Sequence, residues 1–236
     1  MNYEIIGGSF PAANVTLKQG ETVFTQSGAM AWSDTGIEMN TNAEGGLLKS
    51  IGRMFSGASL MFVRHTALKD NARITFSASF PGEIREFKVD GNHEYIAQKS
   101  AFLVADEGVE IDATISKSFW AGLVGGEGLV LQKFSGNGSI LVEIDGSVVE
   151  VELQDGEQIK VETGHVALFE SSVQYDVESV KGFKNIFFGG QGLFLTTLTG
   201  PGKVYLQTLT AQDMASKLLP FLPTSTTSTT VSSDSK

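Results

Sequence analysis

Gly125-Gly126-Glu127-Gly128-Leu129-Val130-Leu131-Gln132-Lys133-Phe134-Ser135-Gly136-Asn137-Gly138 recurs 64 residues later as Gly189-Gly190-Gln191-Gly192-Leu193-Phe194-Leu195-Thr196-Thr197-Leu198-Thr199-Gly200-Pro201-Gly202. The glycines and two leucines keep their places. A self-similarity of this period means one supersecondary unit used more than once. The likeness extends on both sides. Gly82-Glu83-Ile84-Arg85-Glu86-Phe87-Lys88-Val89 precedes Gly146-Ser147-Val148-Val149-Glu150-Val151-Glu152-Leu153 by the same spacing. A third, more diverged copy stands first, where Leu17, Gly20, Val23, Gly28 and Ala31 match Leu153, Gly156, Ile159, Gly164 and Ala167.

Each copy reads as β-structure. Val149, Val151 and Leu153 alternate with Glu150 and Glu152, the period-two pattern of a strand with one buried face. Asn137-Gly138, Asp145-Gly146, Asp90-Gly91 and Asp155-Gly156 separate apolar runs and suit hairpin turns that need positive φ. The expected fold is all-β: three tandem β-sandwich or double-stranded β-helix-like repeats around a pseudo-threefold axis. The repeats run roughly over 15–78, 79–142 and 143–209 within a single domain of residues 1–210. Such packing would let each copy cover its neighbour's sheet edges.

Composition is that of one soluble body. The 17 Lys and Arg stand against 27 Asp and Glu, a net charge of −10. That balance disfavours nucleic acid as a partner, since phosphate binding relies on clustered cations. Without cysteine there is no disulfide frame and no thiolate nucleophile or ligand. The N-terminus has no signal-peptide pattern, and no apolar run approaches the roughly 20 residues of a membrane span, so a cytoplasmic location is expected. Near the C-terminus Thr210 and Asp213 form a variant capping box for a short helix over 211–222, which Pro220 stops. Residues 223–236 form a Ser/Thr-rich tail, expected to be disordered because it cannot offset its ordering entropy.

Several blocks now carry a resemblance. Gly28-Ala29-Met30-Ala31-Trp32-Ser33, Phe80-Pro81-Gly82-Glu83-Ile84, Gly126-Glu127-Gly128-Leu129, Val161-Glu162-Thr163-Gly164-His165-Val166-Ala167 and Gly200-Pro201-Gly202-Lys203-Val204 resemble the altered-inheritance-of-mitochondria family. Bacterial members of that family are mostly uncharacterised, with a fold similar to the trp RNA-binding attenuation protein. The resemblance implies a triplicated β chain, often assembled as a trimer. Its fungal members are linked to organisation of the mitochondrial inner membrane. It supplies no catalytic or ligand residue to carry over. One block departs from the pattern, reading Gly57-Ala58-Ser59 where the family has a Gly-Glu-Ser-like run.

A search for chemistry returns little. His65, His93 and His165 are far apart in sequence and form no His-x-His pair, so no metal site is expected. His165 reads as a turn or sheet-face residue. There is no nucleophile elbow and no phosphate loop, so neither catalytic residues nor a cofactor is assigned. Glu150 and Glu152 share a strand face and read as solvated.

One constellation stands out. Before each Gly block lies an apolar, basic segment. The first carries Leu47, Leu48, Lys49, Ile51, Arg53, Met54 and Phe55; the second Lys117, Phe119, Trp120 and Leu123; the third Lys181, Phe183, Lys184, Phe187 and Phe188. Burying about ten such apolar groups is worth roughly 15–30 kcal/mol, too much to leave in water. Three destinations fit: core plugs under their own sheets, a homo-oligomer interface, or an anionic membrane surface. The first segment has near-helical apolar spacing, and between Gly45 and Gly82 Asp70 is the sole acid against five Lys or Arg. The resulting expectation is a non-enzymatic binding or scaffolding protein that self-associates, as a trimer by the resemblance, and sits peripheral to a membrane. The alternative is a small-ligand binder or enzyme with a pocket between repeats.

Overall fold

The structure is a computed structural model describing residues 1–41, 62–114, 131–179 and 194–222. A leading strand β1 (Asn2–Ile6) precedes three groups of six. The first group is β2 (Ala12–Leu17), β3 (Thr22–Gln26), β4 (Met30–Ser33), β5 (Ile37–Asn40), β6 (Phe62–Ala67) and β7 (Ala72–Ser77). The second is β8 (Gly82–Val89), β9 (Tyr95–Gln98), β10 (Phe102–Asp106), β11 (Val109–Thr114), β12 (Leu131–Gly136) and β13 (Gly138–Asp145). The third is β14 (Val148–Leu153), β15 (Gln158–Glu162), β16 (Val166–Glu170), β17 (Gln174–Ser179), β18 (Phe194–Thr199) and β19 (Gly202–Gln207). One helix, α1 (Ala211–Leu218), follows. The described fold is thus all-β with a short C-terminal helix.

The same antiparallel pairings occur in each group. The first strand pairs with the sixth (β2·β7, β8·β13, β14·β19), and the sixth with the third (β7·β4, β13·β10, β19·β16). The fourth pairs with the fifth (β5·β6, β11·β12, β17·β18), and the fifth with the second (β6·β3, β12·β9, β18·β15). Two further pairings join groups. β3 of the first pairs with β10 of the second, and β9 of the second with β16 of the third. The two six-stranded sheets, β5-β6-β3-β10-β13-β8 and β11-β12-β9-β16-β19-β14, are therefore composites of neighbouring groups. A corresponding third composite is split into β1-β2-β7-β4 and β15-β18-β17.

This topology corrects the hairpin expectation. Asp90-Gly91, Asn137-Gly138, Asp145-Gly146 and Asp155-Gly156 each join strands that lie in different sheets. Positive φ at Gly146 (75°) and Gly156 (74°) turns the chain across the sandwich instead of back along one sheet. The same irregularity recurs in each third strand, between Met30 and Trp32, Phe102 and Val104, and Val166 and Leu168. A bulge there lets a short strand bend while keeping its apolar side inward.

The described interior divides into three apolar clusters. One centres on Phe24, Phe102, Phe134 and Leu168, one on Val23, Ile74, Phe76 and Val104, and one on Leu153, Val166, Phe169 and Leu198. Burying a side chain such as Phe134 is worth about 2–3 kcal/mol. Alternation in β14 holds for Leu153, but Val149, at the other end of the same face, is exposed. Helix α1 is capped as its sequence predicts: the Thr210 hydroxyl accepts from the Asp213 N–H at 3.0 Å and donates to its carboxylate at 2.8 Å. A 3₁₀ turn (Leu219–Phe221) containing Pro220 ends it. The Ser/Thr tail, 223–236, lies outside the described residues.

Candidate functional site

All of the apolar-basic candidates lie outside the described residues: Leu47, Leu48, Ile51, Arg53, Met54 and Phe55; Lys117, Phe119, Trp120 and Leu123; Lys181, Phe183, Lys184, Phe187 and Phe188. So do Lys49 and the Gly blocks at 125–128 and 189–192. The strands on either side of each segment are described. Each segment joins the fourth and fifth strands of a group, and those strands pair antiparallel. Asn40 faces Arg64, Thr114 faces Leu131, and Ser179 faces Phe194 where the chain leaves and re-enters. The three segments thus start from corresponding hairpin positions.

The basic character of the first stretch is partly neutralised. Arg64 pairs with Glu107 at 2.5 Å and Arg73 with Asp34 at 3.3 Å. The Arg73 backbone N–H and guanidinium hold the Asp34 carboxyl below the usual carboxylate range.

A second feature was read from the sequence only in outline, as copies covering one another's sheet edges: the side chains at the junctions between groups. At the first junction the Gln26 amide crosses from β3 and donates to the Lys99 carbonyl at 2.9 Å. The Thr25 hydroxyl donates to the Leu103 carbonyl beside it. At the second junction the buried Gln98 amide donates to the Thr163 and Val166 carbonyls at 2.9 and 2.6 Å. Both glutamines end a second strand, four residues before the third strand begins. The residue at that place in the last group is Glu162, whose carboxylate has no N–H to give.

Exposure follows the same division. Val104 and Leu168, in the third strands of joined groups, are fully buried; Trp32, at the corresponding place in β4, is 57% exposed. Ala31 is exposed where Leu103 and Ala167 are buried, and Lys160 is exposed on β15. The edges of β4 and β15 therefore present what the other junctions bury. The signal was in the sequence, in the alignment of Gln26, Gln98 and Glu162, but it has meaning only once those strands are known to meet another group.

The histidines do not converge. His93 Nδ1 lies 2.9 Å from Asp90. His165 sits in a 3₁₀ turn (Thr163–His165), its Nδ1 2.7 Å from the Gln207 carbonyl and its Nε2 3.6 Å from Asp213, so it is a turn residue tied to β19 and α1. His65 is 1% exposed and, among the described residues, neither ring nitrogen has a hydrogen-bond partner; the ring stands edge-on to Phe76 at 5.5 Å. Burial lowers its pKa to about 4, so the ring is neutral. Glu143 is buried under the Ser79 N–H and hydroxyl, and burial raises its pKa. Glu150 meets Lys203 at 2.6 Å on the wet face of β14, as a solvated carboxylate would. Among the described residues no group of three or more His, Asp or Glu could hold a metal, and no helix is long and apolar enough to cross a membrane.

The fold and these junctions define a class: an all-β protein of composite sheets in which successive six-strand groups share edges. The family model for "Mitochondrial biogenesis AIM24" matches residues 3–209, and the chain belongs to that family. It is 26% identical over 223 residues to an uncharacterised protein of Streptococcus pyogenes serotype M6, covering 92% of this chain and 88% of the relative. It is also similar to an X-ray crystal structure of a protein from Streptococcus pyogenes, with a TM-score of 0.75 and 26% identity, over 94% of this chain and 99% of that one.

Proposed function

We propose that this chain is a non-enzymatic scaffold that self-associates, as a trimer by its family resemblance, and holds an assembly peripheral to an anionic membrane surface. The observation that supports this reading is the pairing of the described strands that flank the three apolar-basic segments. Each joins the paired fourth and fifth strands of its group, so repeated sequence is attached at repeated positions. Three corresponding attachment points would allow one multivalent contact, and multivalency multiplies weak individual contacts. Aromatic and aliphatic side chains there suit the acyl boundary, and lysines and arginines suit anionic headgroups. The rest of the chain, acidic enough to bring the whole to net −10, would be repelled by the same surface and so orients the molecule.

Flotation of purified protein with anionic liposomes tests the membrane part, run beside a folded Phe119→Ser, Trp120→Ser, Phe187→Ser variant. Wild type should float and the variant should stay at the bottom. Wild type remaining at the bottom removes the membrane role. Light-scattering mass of the wild type tests self-association independently.

A further inference from the structure

We infer that β4 and β15 are complementary contact edges through which one copy of this chain pairs head-to-tail with a second. The inference rests on the scaffold reading and names the surface by which the scaffold would assemble.

The internal junctions supply the template. In both, a second strand pairs antiparallel with the third strand of the following group, in one common register. Ala105 faces Phe24 across the first, and Phe169 faces Ile96 across the second. β15 is a second strand and β4 a third strand, and neither has that partner. Carrying the register over places Ser33 of one copy opposite Lys160 of the other, and Trp32 opposite Val161. At the closed junctions the residues matching Trp32 and Val161 are Val104 with Thr25 and Leu168 with Ala97, all nearly inaccessible. An exposed Trp32 is the side chain that such a pairing would cover.

The occupant is a second copy because the complementary edge is known: each chain carries one strand of each kind, already matched in its own two junctions. Such a contact is heterologous, joining unlike surfaces, and it closes into a ring or propagates. An edge left unpaired is an invitation to strand addition. Glu162 sets its strength. Where Gln26 and Gln98 donate to backbone carbonyls, the Glu162 carboxylate would face the Ser27 and Met30 carbonyls with no hydrogen to offer. The contact is therefore weaker than the internal junctions and responds to concentration.

Cysteine cross-linking tests this in a chain that has no cysteine of its own. Ser33→Cys and Lys160→Cys proteins, both exposed sites, are mixed and mildly oxidised. The expected product is a mixed disulfide dimer well in excess of either self-dimer, suppressed by Trp32→Lys. Glu162→Gln should tighten association about ten-fold, as one added hydrogen bond can. Equal yields of all three dimers overturn the proposal, as does a Ser33→Cys, Lys160→Cys double variant that closes only within single chains. If cross-links fail while light scattering still gives an oligomer, the surface is wrong and the scaffold reading stands. A monomer that does not float removes both.

Discussion

Two junctions in this molecule are closed and a third is not, although all are built from the same strands. At the closed junctions, β3·β10 and β9·β16, an amide reaches across and the facing side chains are buried. On β4 the matching side chains are exposed, on β15 Lys160 is exposed while Val161 is half-buried, and the amide is replaced by Glu162. Pairings within each group are alike in all three, so what differs is how one group meets the next. A chain of repeated units is approximately a sum of unit stabilities and interface terms. Here the interface term changes from unit to unit through a few side chains.

The largest contrast should come from placing a charge at equivalent positions of a closed and an open junction. Val104→Lys puts an ammonium where no water reaches, among Val23, Ile74 and Leu141, and should cost about 4 kcal/mol or prevent folding. Trp32→Lys, at the corresponding place on β4, should change unfolding free energy by less than about 0.5 kcal/mol. Urea unfolding of the pair measures the difference. Equal losses would mean that β4 is covered in the folded monomer and that the junctions are not distinct.

His65 sharpens the same comparison from within a group. It faces Val23 across β3·β6, as Phe134 faces Tyr95 and Leu198 faces Ile159, so a histidine stands where the other groups place Phe and Leu. Its folded pKa, about 4, lies below the ordinary 6.5. Between those values the unfolded chain binds the extra proton, so stability falls as pH drops from 6.5 towards 4 and levels off below. His65→Leu should remove this sensitivity, its advantage growing by about 3 kcal/mol across that window. Denaturant midpoints at pH 8 and pH 4.5, for wild type and variant, check it. Parallel pH profiles would show that the ring is solvated or hydrogen-bonded in the native state.

Much of this architecture was legible in the glycines and the alternating valines, because turn and strand chemistry act over a few neighbouring residues. The helix cap at Thr210 was legible for that reason. The Asp-Gly and Asn-Gly turns were located correctly but misread, since positive φ permits a corner as well as a hairpin and only long-range pairing distinguishes them. The junctions were legible only as the expectation that copies cover one another's sheet edges; the side chains that close them were not. Gln26 acts on Lys99, and Gln98 on Thr163, across 73 and 65 residues, and their shared function appears only when both strands are placed. His65 was read as a histidine without partners in sequence, which is true, but its burial depends on three strands that the local pattern does not name.

A smaller effect should follow from turning a closed junction into a copy of the open one. Gln98→Glu sets a carboxylate against the Thr163 and Val166 carbonyls at a buried position. The loss of both hydrogen bonds and the burial of an unpartnered charge should cost about 2–3 kcal/mol. Amide exchange should then speed up in β9 and β16 before β3 and β10. Uniform loss of protection throughout would instead mean that the sheets unfold as one body, with no separable junction.

The least expensive change concerns what buttresses the second junction from outside. Gln98 holds the Thr163–His165 turn from one side, while α1 stands on the other: a methyl placed on Gly164 would come within 3.2 Å of Thr210, and His165 reaches both Gln207 and Asp213. No corresponding helix stands beside the first junction among the described residues. Thr210→Ala removes the cap and should cost about 1 kcal/mol, mostly as fraying of α1. If the helix only decorates the surface, exchange in β16 and β19 will not change. If it braces the junction, those strands will lose protection together with α1 while β3 and β10 keep theirs. The second closed junction would then owe part of its strength to a segment outside the repeated groups.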